Sequence, residues 1–181
     1  MVRPYVDARG KRPDSRSDMR IRDYEDADAP AVGRLIAETF REYNLSHAEP
    51  AEQERLLGPF RHAFSDDPGH REGVRSVLQS PMLYVAEEDG EIVVVLRGRR
   101  NVLASLFVRG DRHRQGIGRG LVERFERDSR SQGVTRIRVA STLFAVPFYA
   151  AMGYKKSTGV RPCRSFDGTD LTYQPMKKLL E

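Results

Sequence analysis

Residues 111–126, DRHRQGIGRGLVERFE, decide how the chain is read. Gly116 and Gly118 stand among Arg112, Arg114 and Arg119, and the segment runs directly into a pattern in which Leu121, Val122 and Phe125 share one side of a helix from about 117 to 131. Glycines without Cβ let backbone N–H groups approach a ligand, and the start of a helix adds unpaired amides and the positive end of its dipole. The three arginines add charge suited to phosphate. Two readings fit this spacing, a basic surface turn and a phosphate cradle. A P-loop is excluded, because Gly118 is followed by Arg119-Gly120 rather than Lys-Ser/Thr. The dinucleotide fingerprint fails as well: Leu121 stands where its third glycine belongs, and the next strand offers Arg136 and Arg138 where a ribose-binding acid is needed.

Working outward, NVLASLFV (101–108) reads as a strand leading into the turn. Before it, MLYVAEEDGEIVVVLRGR (82–99) sets two β-branched runs around Asp89-Gly90, a dipeptide suited to the tight turn of a hairpin. Residues 82–108 are therefore an antiparallel meander. Downstream come a strand VTRIRVAS, a short helix AVPFYAAM, and two closing strands around Tyr154 and DLTYQPM. Upstream, MRIRDY alternates as a half-buried strand does. Asp26 or Asp28 can cap a first helix, with Pro30 in its first turn and Val32, Leu35, Ile36, Phe40 and Tyr43 on one side. Residues 44–80 read as two short helices broken by Gly58-Pro59 and DDPG. Residues 1–18 are too polar to bury themselves and read as a flexible tail before a single domain over 19–181.

The chain has 181 residues, of which 39% are hydrophobic and 31% charged, within the range of a globular domain. No run approaches the roughly 20 apolar residues that span a bilayer, and no apolar stretch follows the basic N-terminus as in a secretory signal. A cytoplasmic protein without membrane partners is expected. The lone cysteine, Cys163, excludes an internal disulfide and a cysteine-rich metal site, so no metal is expected. The net charge of +5 favours anionic partners. The arginines are dispersed and few aromatics lie among them, which argues against nucleic acid and for a phosphorylated small molecule.

Together, LFVRGDRHRQGIGRGLVERFE (106–126) and STLFAVPFYAAMGYKK (141–156) resemble the GNAT superfamily of N-acetyltransferases. The first is similar to that family's acyl-CoA pyrophosphate motif, with His113 where Gln or Arg is usual and Gly116 and Gly118 matching. The second is similar to the segment after the fifth strand, where Tyr149 precedes Gly153-Tyr154 by four residues. The resemblance covers roughly residues 82–178. It implies an α/β fold, a mixed and mostly antiparallel twisted sheet of about seven strands with helices on both faces, splayed near the fourth strand.

By the same resemblance the backbones of Leu106, Phe107 and Val108 meet the acetyl and pantetheine amides of acetyl-CoA. His113, Arg114, Gln115, Gly116, Ile117, Gly118 and Arg119 hold its pyrophosphate, with the Ile117 side chain in the core. Ser141 and Thr142 either contact the pantetheine arm or cap a helix. Tyr149 is the general acid that protonates the departing thiolate, or else a core tyrosine. A base for the amine is not given by the fourth strand, which has no acid. Glu42 is the candidate carried forward, beside Glu38, His47 and Glu87. The function implied is transfer of an acetyl group from acetyl-CoA to a primary amine of a small molecule or peptide by direct attack, in a monomer or homodimer. The alternative is an acyl-CoA-binding sensor that lost its base.

Overall fold

The computed structural model of the chain describes residues 19–165 and 168–180. The expected tail, residues 1–18, lies outside the described residues. In chain order the elements are β1 (Met19–Asp23), α1 (Ala29–Asn44), α2 (Pro50–Leu57), α3 (Pro68–Leu78), β2 (Met82–Glu88), β3 (Glu91–Arg99) and β4 (Val102–Val108). They continue with α4 (Ile117–Ser131), β5 (Arg136–Ser141), α5 (Val146–Ala151), β6 (Lys155–Lys156), β7 (Arg161–Ser165) and β8 (Gly168–Leu179). Short 3-10 turns occupy Asp26–Asp28, Gly58–His62, Gly110–Arg112 and Leu143–Ala145.

The strands form a sheet in the order β1-β2-β3-β4-β5-β8-β6, with β7 paired to β8. Every pairing is antiparallel except β4 with β5. The meander forms as its sequence predicts, because Asp89 and Gly90 both take the positive φ, 52° and 82°, of the turn that matches strand twist. One apolar layer packs α4 and α5 on the sheet through Leu121, Val122, Phe125, Tyr149 and Met152. The other packs α1, α2 and α3 on the opposite face through Val32, Leu35, Ile36, Leu56, Leu57 and Val74. Helices thus cover both faces.

Two local expectations change. Asp28 stands at the N-cap of α1 but makes no capping bond there. Its carboxylate instead accepts from the two terminal Arg22 guanidinium nitrogens at 2.7 and 2.9 Å and from the Glu25 amide at 2.8 Å. The strand β7 was not anticipated from RPCRS, whose Pro and arginines lack apolar alternation. It forms because Arg161, Pro162 and Cys163 lie opposite Tyr173, Thr172 and Leu171 of the long β8.

Candidate active site

Only Val102–Arg138 and Leu103–Val139 pair between β4 and β5. Past them the two parallel strands part, so among the described residues the β5-facing edge of residues 104–108 has no neighbouring strand to satisfy its backbone groups. A bulge at the Arg97/Gly98 step of β3 lies opposite the point of divergence. Leu106 and Val108 turn toward the layer of α4 and α5, and Phe107 toward α1, where its ring meets Phe40 edge-on with centroids 6.1 Å apart.

At the open end β4 passes through Gly110–Arg112 into the loop that starts α4. Arg114 has φ 60° and Gly116 has φ 84°. Left-handed residues placed this close together turn successive amides to one side, the backbone concavity that binds anions. For Arg114 the conformation is strained, and such strain persists where the surrounding structure or a ligand demands it. Gly118 is buried against β4 and α5: a Cβ there would come within 3.2 Å of Val108, 3.7 Å of Leu106 and 3.8 Å of Phe148. The loop, the open strand and α5 thus meet at one point.

The arginines of the loop divide into two kinds. Arg112, read from sequence as phosphate-binding charge, is committed to the buried Glu88 and to Asp111, an ion-pair arrangement that anchors the loop to β2. Arg114 is exposed and makes no ion pair among the described residues. Arg119, half exposed, has only a 3.8 Å contact to Glu123. Gln115 donates from its side chain to the Asp111 carbonyl at 2.9 Å. Ile117 packs on the core, as its pattern predicts. His113 lies with its Nε2 2.9 Å from the Val108 carbonyl oxygen and its ring 4.8 Å from that of Tyr43. Tyr43 in turn stacks on Phe144 at 5.4 Å, so this aromatic group joins α1, the loop and the segment after β5 across the parted strands.

Tyr149 is 4% exposed on α5. Burial pushes its phenol well above the ordinary tyrosine range, so it is protonated at any physiological pH. Its spacing to Gly153-Tyr154 has a structural cause as well. The Tyr154 amide donates to the Tyr149 carbonyl and the Gly153 amide to that of Ala150, both at 3.0 Å, while Gly153 takes φ 87°. That is the Schellman end of a helix, with the two tyrosine rings supplying its apolar contact at 5.4 Å.

The carboxylates are less central. Glu87 is held by Arg22 at 2.9 Å, which removes it as a free base. Glu38 and His47 are exposed on and just beyond α1. Glu42, also exposed, lies beside Gly110 at the open end of β4, where it accepts the Tyr43 hydroxyl and raises that phenol's pKa. Ser141 is buried and donates to the Thr142 carbonyl at 2.8 Å. Thr142 precedes the turn Leu143–Ala145 without a side-chain capping bond, so capping does not explain it. Among the described residues no group of three or more His, Cys, Asp or Glu could hold a metal, and no helix is long and apolar enough to cross a membrane.

Arg97, not singled out by its sequence, sits on β3 opposite Ser105 of β4 and Leu83 of β2. Its Nε and the Ser105 hydroxyl are buried without a hydrogen-bond partner among the described residues. The available signal was an arginine directly after the continuous apolar run IVVVL, in a strand built for burial on both faces.

Residues 48–180 match the family model described as an acetyltransferase (GNAT) domain. No match was found among curated proteins. Solved structures share the fold. A GCN5-related N-acetyltransferase from Rhodopseudomonas palustris superposes with a TM-score of 0.70 at 18% identity, over 89% of this chain and 95% of its own. The PaiA N-acetyltransferase from Thermoplasma acidophilum, solved with coenzyme A, gives 0.65 at 18% identity over 90% and 99%. YncA from Salmonella typhimurium, solved with acetyl-CoA, gives 0.59 at 17% identity over 91% and 95%.

Proposed function

The chain belongs to the GNAT acetyltransferase family and is an acyltransferase, and from that premise we propose that it moves an acetyl group from acetyl-CoA to a primary amine by direct attack in a ternary complex. The observation that carries this reading is the coincidence of an open strand edge at 104–108 with a left-handed loop at the start of α4. The loop's amides, with Arg114 and Arg119, take the pyrophosphate. The edge of Leu106, Phe107 and Val108, whose Val108 carbonyl faces His113 Nε2, takes the amides of the pantetheine arm as a further strand would, with Ser141 and Thr142 on the other side. The PaiA and YncA complexes with coenzyme A and acetyl-CoA support the choice of co-substrate.

The neutral amine attacks the thioester carbonyl, the new C–N bond forms and the C–S bond breaks. The thiolate takes the phenolic proton of Tyr149, whose burial keeps that proton in place until charge develops on sulfur. The proton lost by the amine passes through water to Glu42 at the open end of the cleft. An acetyl-enzyme has no good nucleophile here, since burial pushes the Cys163 thiol up and away from thiolate.

Three measurements test this reading. Acetyl-CoA raises the melting temperature, because it binds only the folded chain. Free thiol appears with at least one member of a panel of primary amines. Tyr149→Phe abolishes most of that release, by about 10²-fold or more, while the melting shift persists. A shift without release from any amine would favour the sensor. No shift would remove the cofactor reading itself.

A further inference from the structure

The face of the sheet under α1 carries a polar row where an apolar layer is expected. Leu83, Arg97 and Ser105 stand side by side on the successive strands β2, β3 and β4, and Tyr24, just past the end of β1, continues the row: it donates its amide to the Leu83 carbonyl at 3.0 Å, Leu83 pairs with Arg97, and Arg97 pairs with Ser105. Directly paired residues project to the same side, about 5 Å apart. Leu83 and Val95 belong to the core under α1, so the Arg97 and Ser105 side chains lie on that face. Three of the five buried side-chain polar atoms without a partner among the described residues fall in this row: the Tyr24 hydroxyl, Arg97 Nε and the Ser105 hydroxyl.

A half-buried guanidinium with no carboxylate beside it is costly, and a buried group left unpaired calls for a cause such as a functional role or a water or ion that completes it. No acid among the described residues pairs with Arg97, and burial alone acts on its charge. Arg97 and Ser105 also flank the point where β4 leaves β5, next to the last paired residue, Leu103. Under the proposed acetyl transfer, which this inference takes as its basis, the thioester lies there.

We propose that Arg97 and Ser105, with the Tyr24 hydroxyl further along the row, receive an oxyanion of the acceptor, so that the substrate is a small amine carrying a carboxylate or phosphate within a few bonds of its nitrogen. A guanidinium presents paired N–H donors matched to two oxygens of such a group, and the Ser105 hydroxyl adds a donor from the same side. Amino acids and aminoalkyl phosphates fit this description. Polyamines and other purely cationic amines do not, because Arg97 repels them.

The experiment compares thiol release from matched amines: amino acids, their amides, aminoalkyl phosphates, the corresponding alkylamines, and spermidine. Acetyl-CoA thermal shifts are recorded on the same samples. The wild type prefers an anionic amine over its neutral counterpart by about tenfold or more in kcat/KM, seen mainly in KM, as expected for a charge-assisted contact. Carboxylate and phosphate arms tell the two anions apart. In Arg97→Met that ratio falls toward one, and Arg97→Lys recovers part of it, while the acetyl-CoA shift is retained in both. A preference for neutral or cationic amines, an unchanged ratio in Arg97→Met, or thermal shift with no release from any anionic amine would overturn the inference and leave cofactor binding standing. Loss of the acetyl-CoA shift in the wild type would mark the failure of the transferase reading instead.

Discussion

Single residues here carry opposed demands of folding and binding. Arg97 occupies a core-facing position without a counter-charge among the described residues, so its replacement by an apolar side chain of similar length removes a desolvation cost. Arg97→Met is expected to raise the melting temperature of the ligand-free protein by roughly 2–4 °C, the equivalent of about 1 kcal/mol in a chain of this size. Calorimetry showing a lower melting temperature would instead give Arg97 a structural partner. Gly116 is the reverse case. Its φ of 84° suits glycine, and nothing lies within 4 Å of a Cβ added there. Gly116→Ala therefore pays only for conformation, about 1 kcal/mol. The expected result is a modest loss of stability with a larger loss of acetyl-CoA affinity, measured by isothermal titration, because the loop amides would turn.

At the scale of elements, legibility in the sequence followed the range of the interactions. The hairpin β2–β3 and helix α4 were readable to the residue, since a two-residue turn and a 3.6-residue period are local signals. Tyr149, Gly153 and Tyr154 were legible for a reason that is partly structural, because their spacing writes a helix end as well as a family motif. The partnership of Arg97 with Ser105, the loss of Arg112 to Glu88 and the pairing of β7 with β8 depend on strands brought together by the fold, and no local pattern announces them. Packing between elements gives a sharp test at Gly98. A Cβ there would press into the fully buried ring of Phe125 on α4, so Gly98→Ala should cost about 1–3 kcal/mol in urea unfolding. The link between α2 and α3 offers another. The rings of His62 and His70 stack at 3.8 Å, and Arg61 donates to His62 Nε2 at 3.0 Å. Desolvation, followed by the charges of His70 and Arg61, lowers the His62 pKa. A histidine lowered in this way binds its proton more readily when unfolded, so its stabilising contribution is present above about pH 6.5 and is lost as pH falls from there through its lower folded pKa. The melting temperature should decline with acidification in this window, and His62→Gln should flatten the slope.

For the molecule as a whole, the sheet is a partition. Tyr149 belongs to the layer of α4 and α5, whereas Glu42, Arg97 and Ser105 belong to the side of α1. Under the proposed transfer, the acid Tyr149 and the base Glu42 are kept in separate layers, and they can serve one reaction only where the partition opens. In this fold that place is the parting of β4 from β5 beyond Leu103 and Val139. The arrangement fixes the pH behaviour. Because burial raises the Tyr149 phenol above its ordinary value near 10, it stays protonated throughout the usable alkaline range and produces no falling limb there. Under the proposed direct attack the amine acceptor must be neutral, so kcat/KM should rise with pH and follow the acceptor's own pKa. Exchanging one amine for a less basic one should move the rising limb to lower pH by the difference of their pKa values. Tyr149→Phe should lower the whole curve without displacing that limb, since the phenol does not titrate in this range. A falling limb between pH 8 and 10 that disappears in Tyr149→Phe would show instead that the phenol ionises in the complex, and that the closed layer around α5 opens to water during turnover.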